Sequence, residues 1–329
     1  MNKPSENIPF YRQMISLLQN AISLLDEQGS EEVIQFILSQ QNADGGFKDR
    51  GGKSDLYYSL FGMMMFRAWG MGQGAWSMET EDRRQETGKG EAEEEKEKRN
   101  KDNQGDDSSD LLSGNPPGFE ESILKLRQFV ARQSSFNIPG FIEQCCLVLL
   151  QKELKAGRTS RINALFSLGR SFRKERHSIN LSYRSFVLFL TMDAIFPFRR
   201  ILNMGIGEMS ARTRVDVNSP CSEVAAKVFM QKMMNQDGIE EQKLLNTFAC
   251  KSGGFKAFIH LQHADMLSTA VALFSLNYAQ CDLRVLKPIC LEFIGQNFAD
   301  GAFLSGDGDH TADVEYTFYG LLALGLLAE

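Results

Sequence analysis

The sequence predicts an all-α protein of paired helices, and three observations lead there. Leucine and methionine supply 50 residues against 28 of valine and isoleucine, and unbranched side chains keep more rotamer freedom in a helix than β-branched ones do. Apolar residues recur at helical spacing along most of the chain, with no convincing strand. A turn followed by an aspartate-started helix recurs near both ends.

Taken in order, the spacing predicts helices over 11–25, 32–40, 56–69, 123–130, 141–154, 181–196, 224–234, 266–276, 285–294 and 314–327. Two stretches, 56–69 and 318–327, are apolar nearly all round. A water-soluble helix of that kind has to be enclosed by others, so an inner layer is expected. Residues 78–117 have almost no apolar side chains and cannot bury enough surface to offset the entropy of ordering, so they are expected to be a disordered acidic insertion. The DDSSD run at 106–110 in this insertion matches a magnesium-diphosphate pattern, but such carboxylates must project from a helix into an apolar cavity, and it is assigned to chance.

The formal charge of the chain is −6, and the insertion, with 13 acidic and 7 basic residues, accounts for it. The remainder is balanced, which excludes the basic excess that a nucleic-acid partner demands. A basic run over 152–176, continued at Arg199 and Arg200, is assigned to a solvated helix face. The longest apolar run, 317–328, is far short of the ~20 residues of a membrane helix, so the protein is expected not to span a membrane. The opening MNKPSENIPF has no apolar stretch of signal-peptide type, and a cytoplasmic location is expected. Six cysteines without a CxxC spacing are expected to be reduced core residues.

The repeat carries most of the information. Residues 40–63 follow Q-x3-D-G-G-F-x7-D-x2-Y-S-x-F-G-M, and residues 296–321 follow Q-x3-D-G-A-F-x9-D-x2-Y-T-x-Y-G-L. A third copy, G-G-F-x9-D-x3-T, runs over 253–269. The glycines can take positive φ and stop the preceding helix. Phe47, Phe255 and Phe303 can anchor the loop in the core, and Asp55, Asp265 and Asp313 stand where they can cap the next helix. Each repeat is therefore expected to be a helical hairpin: outer helix, turn, loop, inner helix.

This pattern resembles the prenyltransferase and squalene cyclase repeat. The resemblance implies one domain, 1–329, forming an α/α toroid of about five to six hairpins whose inner helices line an apolar cavity, interrupted by 78–117. It is specific in residues 36–70, 248–280 and 290–327, and is similar above all to the β subunits of protein prenyltransferases. Their zinc ligands are an aspartate, a cysteine and a histidine. The corresponding segments here are GGFKAFIHLQHADML and DVEYTFY, with Asp265 at the aspartate position but Leu267 and Tyr316 at the other two. The cationic residues that would hold an isoprenoid diphosphate correspond to Phe258 and Leu261. No DxDD cyclase acid occurs. The resemblance thus implies an isoprenoid or similar apolar ligand without the usual zinc-dependent prenylation. The alternative is a noncatalytic toroid that binds a lipid or a protein partner.

The candidate cavity residues are Tyr58, Phe61, Met65, Trp69, Tyr316 and Tyr319, from helices crowded with aromatic and sulfur side chains, which also suit a filled core. Asp265 is the candidate catalytic residue. His263, Asp265, His310 and Asp313 are the candidates for a relocated metal site, because imidazole and carboxylate suit zinc. Weighed against this, the aspartates already have a capping role and the histidines suit solvated loops. No cofactor is expected.

Overall fold

The computed structural model describes residues 9–72, 116–133, 138, 140–156, 161–174, 181–195 and 213–328. Nearly all of the 78–117 insertion lies outside the described residues, as do His177, Arg199 and Arg200. The described residues are mostly helical. The chain forms α1 (Phe10–Leu24), α2 (Glu27–Ser39), β1 (Phe47–Lys48), β2 (Ser54–Asp55) and α3 (Leu56–Gly72). It continues with α4 (Phe119–Arg132), α5 (Phe141–Glu153), α6 (Arg161–Lys174), α7 (Leu181–Ile195), α8 (Cys221–Met233) and α9 (Ile239–Asn246). The last elements are α10 (Met266–Tyr278), α11 (Lys287–Gln296), β3 (Phe298–Ala299), β4 (Ala302–Phe303) and α12 (Val314–Ala328).

Two differences from the sequence reading have local causes. The four strands, each two residues long, close the repeat loops: Phe47 pairs with Asp55, and Phe298 with Phe303. Pieces this short carry no period for a sequence to display. Helix α2 starts at Glu27 because Asp26 accepts a bond from the Gly29 amide at 2.7 Å, ahead of the apolar face formed by Val33, Ile34 and Ile37.

The repeat does what its residues dictate. Asp55 accepts from the amides of Tyr57 and Tyr58 at 2.7 and 3.1 Å, Asp265 from Ser268 at 2.8 Å and Asp313 from Tyr316 at 2.7 Å. The hydroxyl four residues further on has a second function. Ser59, Thr269 and Thr317 donate to the carbonyl of the capping aspartate and accept the amide of Phe47, Phe255 or Phe303. That bond locks the anchoring ring, and all three phenylalanines are buried. In the first and last copies the ring lies against a helical glycine, where a Cβ at Gly62 would meet Phe47 at 2.6 Å and one at Gly320 would meet Phe303 at 2.2 Å. The turn glycine of each copy sits on the carbonyl of an outer helix: Gly45 on Lys125, Gly253 on Ile289 and Gly301 on Glu32. The last repeat therefore packs on the first outer helix, α2.

Packing between helices follows a cycle. Helix α3 contacts α5, α5 contacts α7, α7 contacts α8, α8 contacts α10, α10 contacts α12, and α12 contacts α3. Helices α2, α4, α6, α9 and α11 each lean on one or two members of that cycle. The expected enclosure of α3 and α12 is met by these neighbours together with α1, which packs on both and also touches α7. Contact between α1 and α12 is close, because a Cβ at Gly325 would lie 1.9 Å from the Leu17 carbonyl oxygen. Among the described residues no helix is long and apolar enough to cross a membrane, and no cysteine forms a disulfide.

Candidate functional site

An apolar chamber of about 90 Å³ lies where the six helices of the cycle and α1 converge. Its wall takes Met14 from α1, Phe61 and Met64 from α3, Leu149 from α5, Phe186 from α7, Ala225 and Ala226 from α8, Phe274 from α10 and Phe318 from α12. The size is decisive for what enters. An engineered apolar cavity of ~150 Å³ binds benzene, so this chamber holds less than a benzene-sized group until a wall side chain moves. Met14 and Met64, unbranched and adaptable, are suited to move.

A wider, open mouth of about 520 Å³ is lined by Asp49, Arg50, Gly51, Asp55, Tyr57, Tyr58, Ile142, Glu143 and Tyr183. Tyr57, Ile142 and Tyr183 line both spaces and form the neck between them. These residues belong to the first turns of α3, α5 and α7, whereas the last turns of α5 and α7 meet the start of α1, and Arg67 in the second half of α3 pairs with Glu153 at the end of α5. The three helices therefore run in parallel, with the mouth at their N-terminal ends.

A hydrogen-bonded cluster roofs the neck. The Tyr57 hydroxyl donates to Glu315 Oε1 at 3.0 Å and lies 3.2 Å from the Tyr319 hydroxyl, while the Tyr58 hydroxyl donates to Glu315 Oε2 at 3.2 Å. Burial pushes the Tyr57 and Tyr319 phenols well above their ordinary value and Tyr183 up to about 12. All three stay protonated at neutral pH, which leaves the Tyr57 hydroxyl able to donate to Glu315. Burial raises Glu315 as well, against the opposing bonds from Tyr57 and Tyr58. Arg50 reaches over the rim, with Nε 2.8 Å from Asp313 and its guanidinium 4.7 Å from the Tyr316 ring centre. A second, longer pair joins Arg50 to Asp309 at 3.4 Å.

The sequence candidates are distributed unevenly over this site. Phe61 and Tyr319 line the chamber. Tyr58 lines the mouth, and Tyr316 lies under Arg50 at the rim. Met65 and Trp69 are buried in the core and are not among the chamber wall residues. His263 and His310 are exposed loop residues. Asp313 is held by its cap bond and by Arg50. Among the described residues no group of three or more His, Cys, Asp and Glu side chains is arranged to hold a metal. A zinc ion of the prenyltransferase type does not fit these residues: Asp265 Oδ1 is committed to Ser268, Leu267 packs against the core, and Tyr316 faces a cation.

Asp265 is 8% exposed, and its Oδ2 is buried without a hydrogen-bond partner. Burial raises its pKa. A buried acid with a raised folded pKa binds its proton more tightly in the fold than in the unfolded chain, so stability falls as pH rises from the ordinary carboxylate range through the folded value. Asp265→Asn removes that charge and keeps the capping oxygen, and is expected to be neutral or slightly stabilising at pH 7; Asp265→Ala loses the cap and costs about 1 kcal/mol. Urea denaturation of both variants measures this. The reverse order, or stoichiometric zinc lost in Asp265→Asn, would overturn the capping role.

Sequence reasoning missed Glu143, Tyr183, Glu315 and Arg50. The first two fall in the stretch where the repeat pattern fades, and the partners of the last two are more than 250 residues away in the chain. Compared with known proteins, the chain matches no family model, and no characterised protein and no solved structure resembles it significantly.

Proposed function

We propose that the chain is a single α/α toroid of the prenyltransferase and squalene cyclase repeat type that takes the apolar part of an isoprenoid or similar ligand into its central chamber. The observation that carries this is the chamber itself, walled by every helix of a closed cycle of contacts and entered by a mouth at one rim. The Gly301 contact on α2 supports closure, because it repeats at the chain ends the relation that Gly45 has to α4 and Gly253 to α11. Handling of the ligand is binding through apolar burial, worth roughly 25 cal/mol per Å² of apolar surface removed from water. Zinc-dependent prenylation is not part of the proposal. A second reading, a toroid that docks a protein partner, is favoured by Phe258 and Leu261, which are 36% and 40% exposed on the loop before Asp265.

The test is titration of the full chain with 3-methylbutanol, a five-carbon probe, followed by calorimetry, alongside native mass spectrometry of the purified protein. Binding is expected in the wild type and at least tenfold weaker in Ala226→Phe, whose ring would occupy the chamber, with circular dichroism confirming that the variant is folded. No binding by the wild type and no copurified apolar molecule would sink the reading. A stable protein complex with an empty chamber would favour the second one.

A further inference from the structure

The charge at the mouth points to a ligand head different from a diphosphate. The lining holds three carboxylates, Asp49, Asp55 and Glu143, and one cation, Arg50. Arg50 is already engaged by Asp313 and Asp309. Asp49 accepts the Lys53 amide at 2.9 Å, Asp55 caps α3, and neither of them nor Glu143 has an ion-pair partner among the described residues. Of the helix N-termini at the mouth, which would otherwise attract an anion, that of α3 is capped by Asp55, that of α5 carries Glu143 in its first turn, and that of α7 has the Ser182 amide bonded to Glu223 at 3.1 Å. Rings of Tyr57, Tyr58 and Tyr183 also line the mouth, and aromatic faces attract cations. Behind them the wall becomes apolar within the neck.

We propose that mouth and chamber form one site for a small amphiphilic cation: an ammonium-type head sits in the mouth among the Asp49 and Glu143 carboxylates and the tyrosine rings, and its short apolar tail enters the chamber past Tyr57 and Tyr183. An anionic head meets unpaired carboxylates and finds no free cation in the lining. A neutral head loses the electrostatic attraction but keeps the tail burial. Asp49 and Glu143 set the preference for the cation, and Asp55 serves chiefly the helix. The proposal rests on the chamber's taking an apolar group.

Calorimetry on the full chain with 3-methylbutylammonium, 3-methylbutanol and 3-methylbutyl phosphate compares three heads on one tail. At low ionic strength the ammonium is expected to bind at least tenfold more tightly than the alcohol, and the phosphate more weakly than the alcohol. Added salt should narrow the gap, since exposed charges are screened over about 10 Å at 0.1 M. Asp49→Asn combined with Glu143→Gln should remove most of the ammonium's advantage over the alcohol, with circular dichroism showing that the variant is folded. If alcohol and ammonium bind alike, or the phosphate binds most tightly, the cation site is refuted while the chamber reading stands. If none of the three binds and Ala226→Phe changes nothing, the chamber reading fails and the cation site with it.

Discussion

Glu153→Ala is expected to lower the stability of the fold by about 3–5 kcal/mol, the range for removing one partner of a buried ion pair. Glu153 Oε2 lies 3.1 Å from Arg67 Nη1, with side chains 3% and 7% exposed. Glu153 Oε1 accepts from the Tyr11 hydroxyl. Lys152 donates to the Ala194 carbonyl and lies 5.1 Å over the Tyr11 ring, while the Phe10 amide donates to Asp193 at 2.8 Å. The start of α1 is thereby tied to the last turns of α5 and α7 and, through Glu153, to Arg67 of α3, and α1 supplies Tyr11 and Met14 to the chamber wall. Tyr11→Phe keeps the ring and withdraws one charge-assisted donor, and should cost about 1.5–3 kcal/mol. Replacing the pair together, Arg67→Met with Glu153→Leu, should cost less than Glu153→Ala alone, because neither charge then remains to be desolvated. Urea denaturation at pH 7 measures all three. A loss below about 1 kcal/mol for Glu153→Ala would mean that the docking of α1 does not depend on this cluster.

The same cluster shows what a sequence conceals. Arg67 stands in an otherwise apolar helix, which marks it as a buried charge needing a partner, but nothing local names Glu153 as that partner. The helical character was legible, because composition and spacing report local preferences. So were the aspartate caps, since a cap is a contact within three residues. Helices α6 and α9 were not found from apolar spacing for a related reason. The sequence of α6, RINALFSLGRSFRK, is interrupted by charges and its Phe166 is 74% exposed, while in the short α9 only Leu245 is buried. The chamber was legible only in part. Helix α3 is apolar all round, so Phe61, Met64, Met65 and Trp69 are equivalent by type, and only the direction of each side chain separates Phe61 and Met64 on the wall from the other two in the core. The mouth is a meeting of the β1–β2 loop with α3, α5 and α7, and its charge balance depends on which carboxylates already hold a partner.

Gly301→Ala is expected to cost about 2–5 kcal/mol, and the reason bears on closure of the ring. Gly301 has φ +74°, and a Cβ there would lie 2.2 Å from the Glu32 carbonyl oxygen and 2.9 Å from the Val33 amide nitrogen. Both are backbone atoms of α2, which cannot swing aside as a side-chain tip could. Left-handed backbone costs an ordinary residue about 1–2 kcal/mol, and forced overpacking adds about 1–3 kcal/mol. Gly52→Ala separates the two effects: its φ is +81°, yet a Cβ would meet nothing within 4 Å, so only the backbone cost applies. Gly45 and Gly253 face Lys125 and Ile289 carbonyl oxygens at 2.1 and 2.2 Å, so their alanine variants should match Gly301→Ala rather than Gly52→Ala. If the three buried turns lose similar stability in thermal or urea denaturation, the joint between the last repeat and α2 is as tight as the joints inside the chain. If Gly301→Ala loses no more than Gly52→Ala, the backbone of α2 yields without cost and the two ends of the chain are not held in a closed cycle.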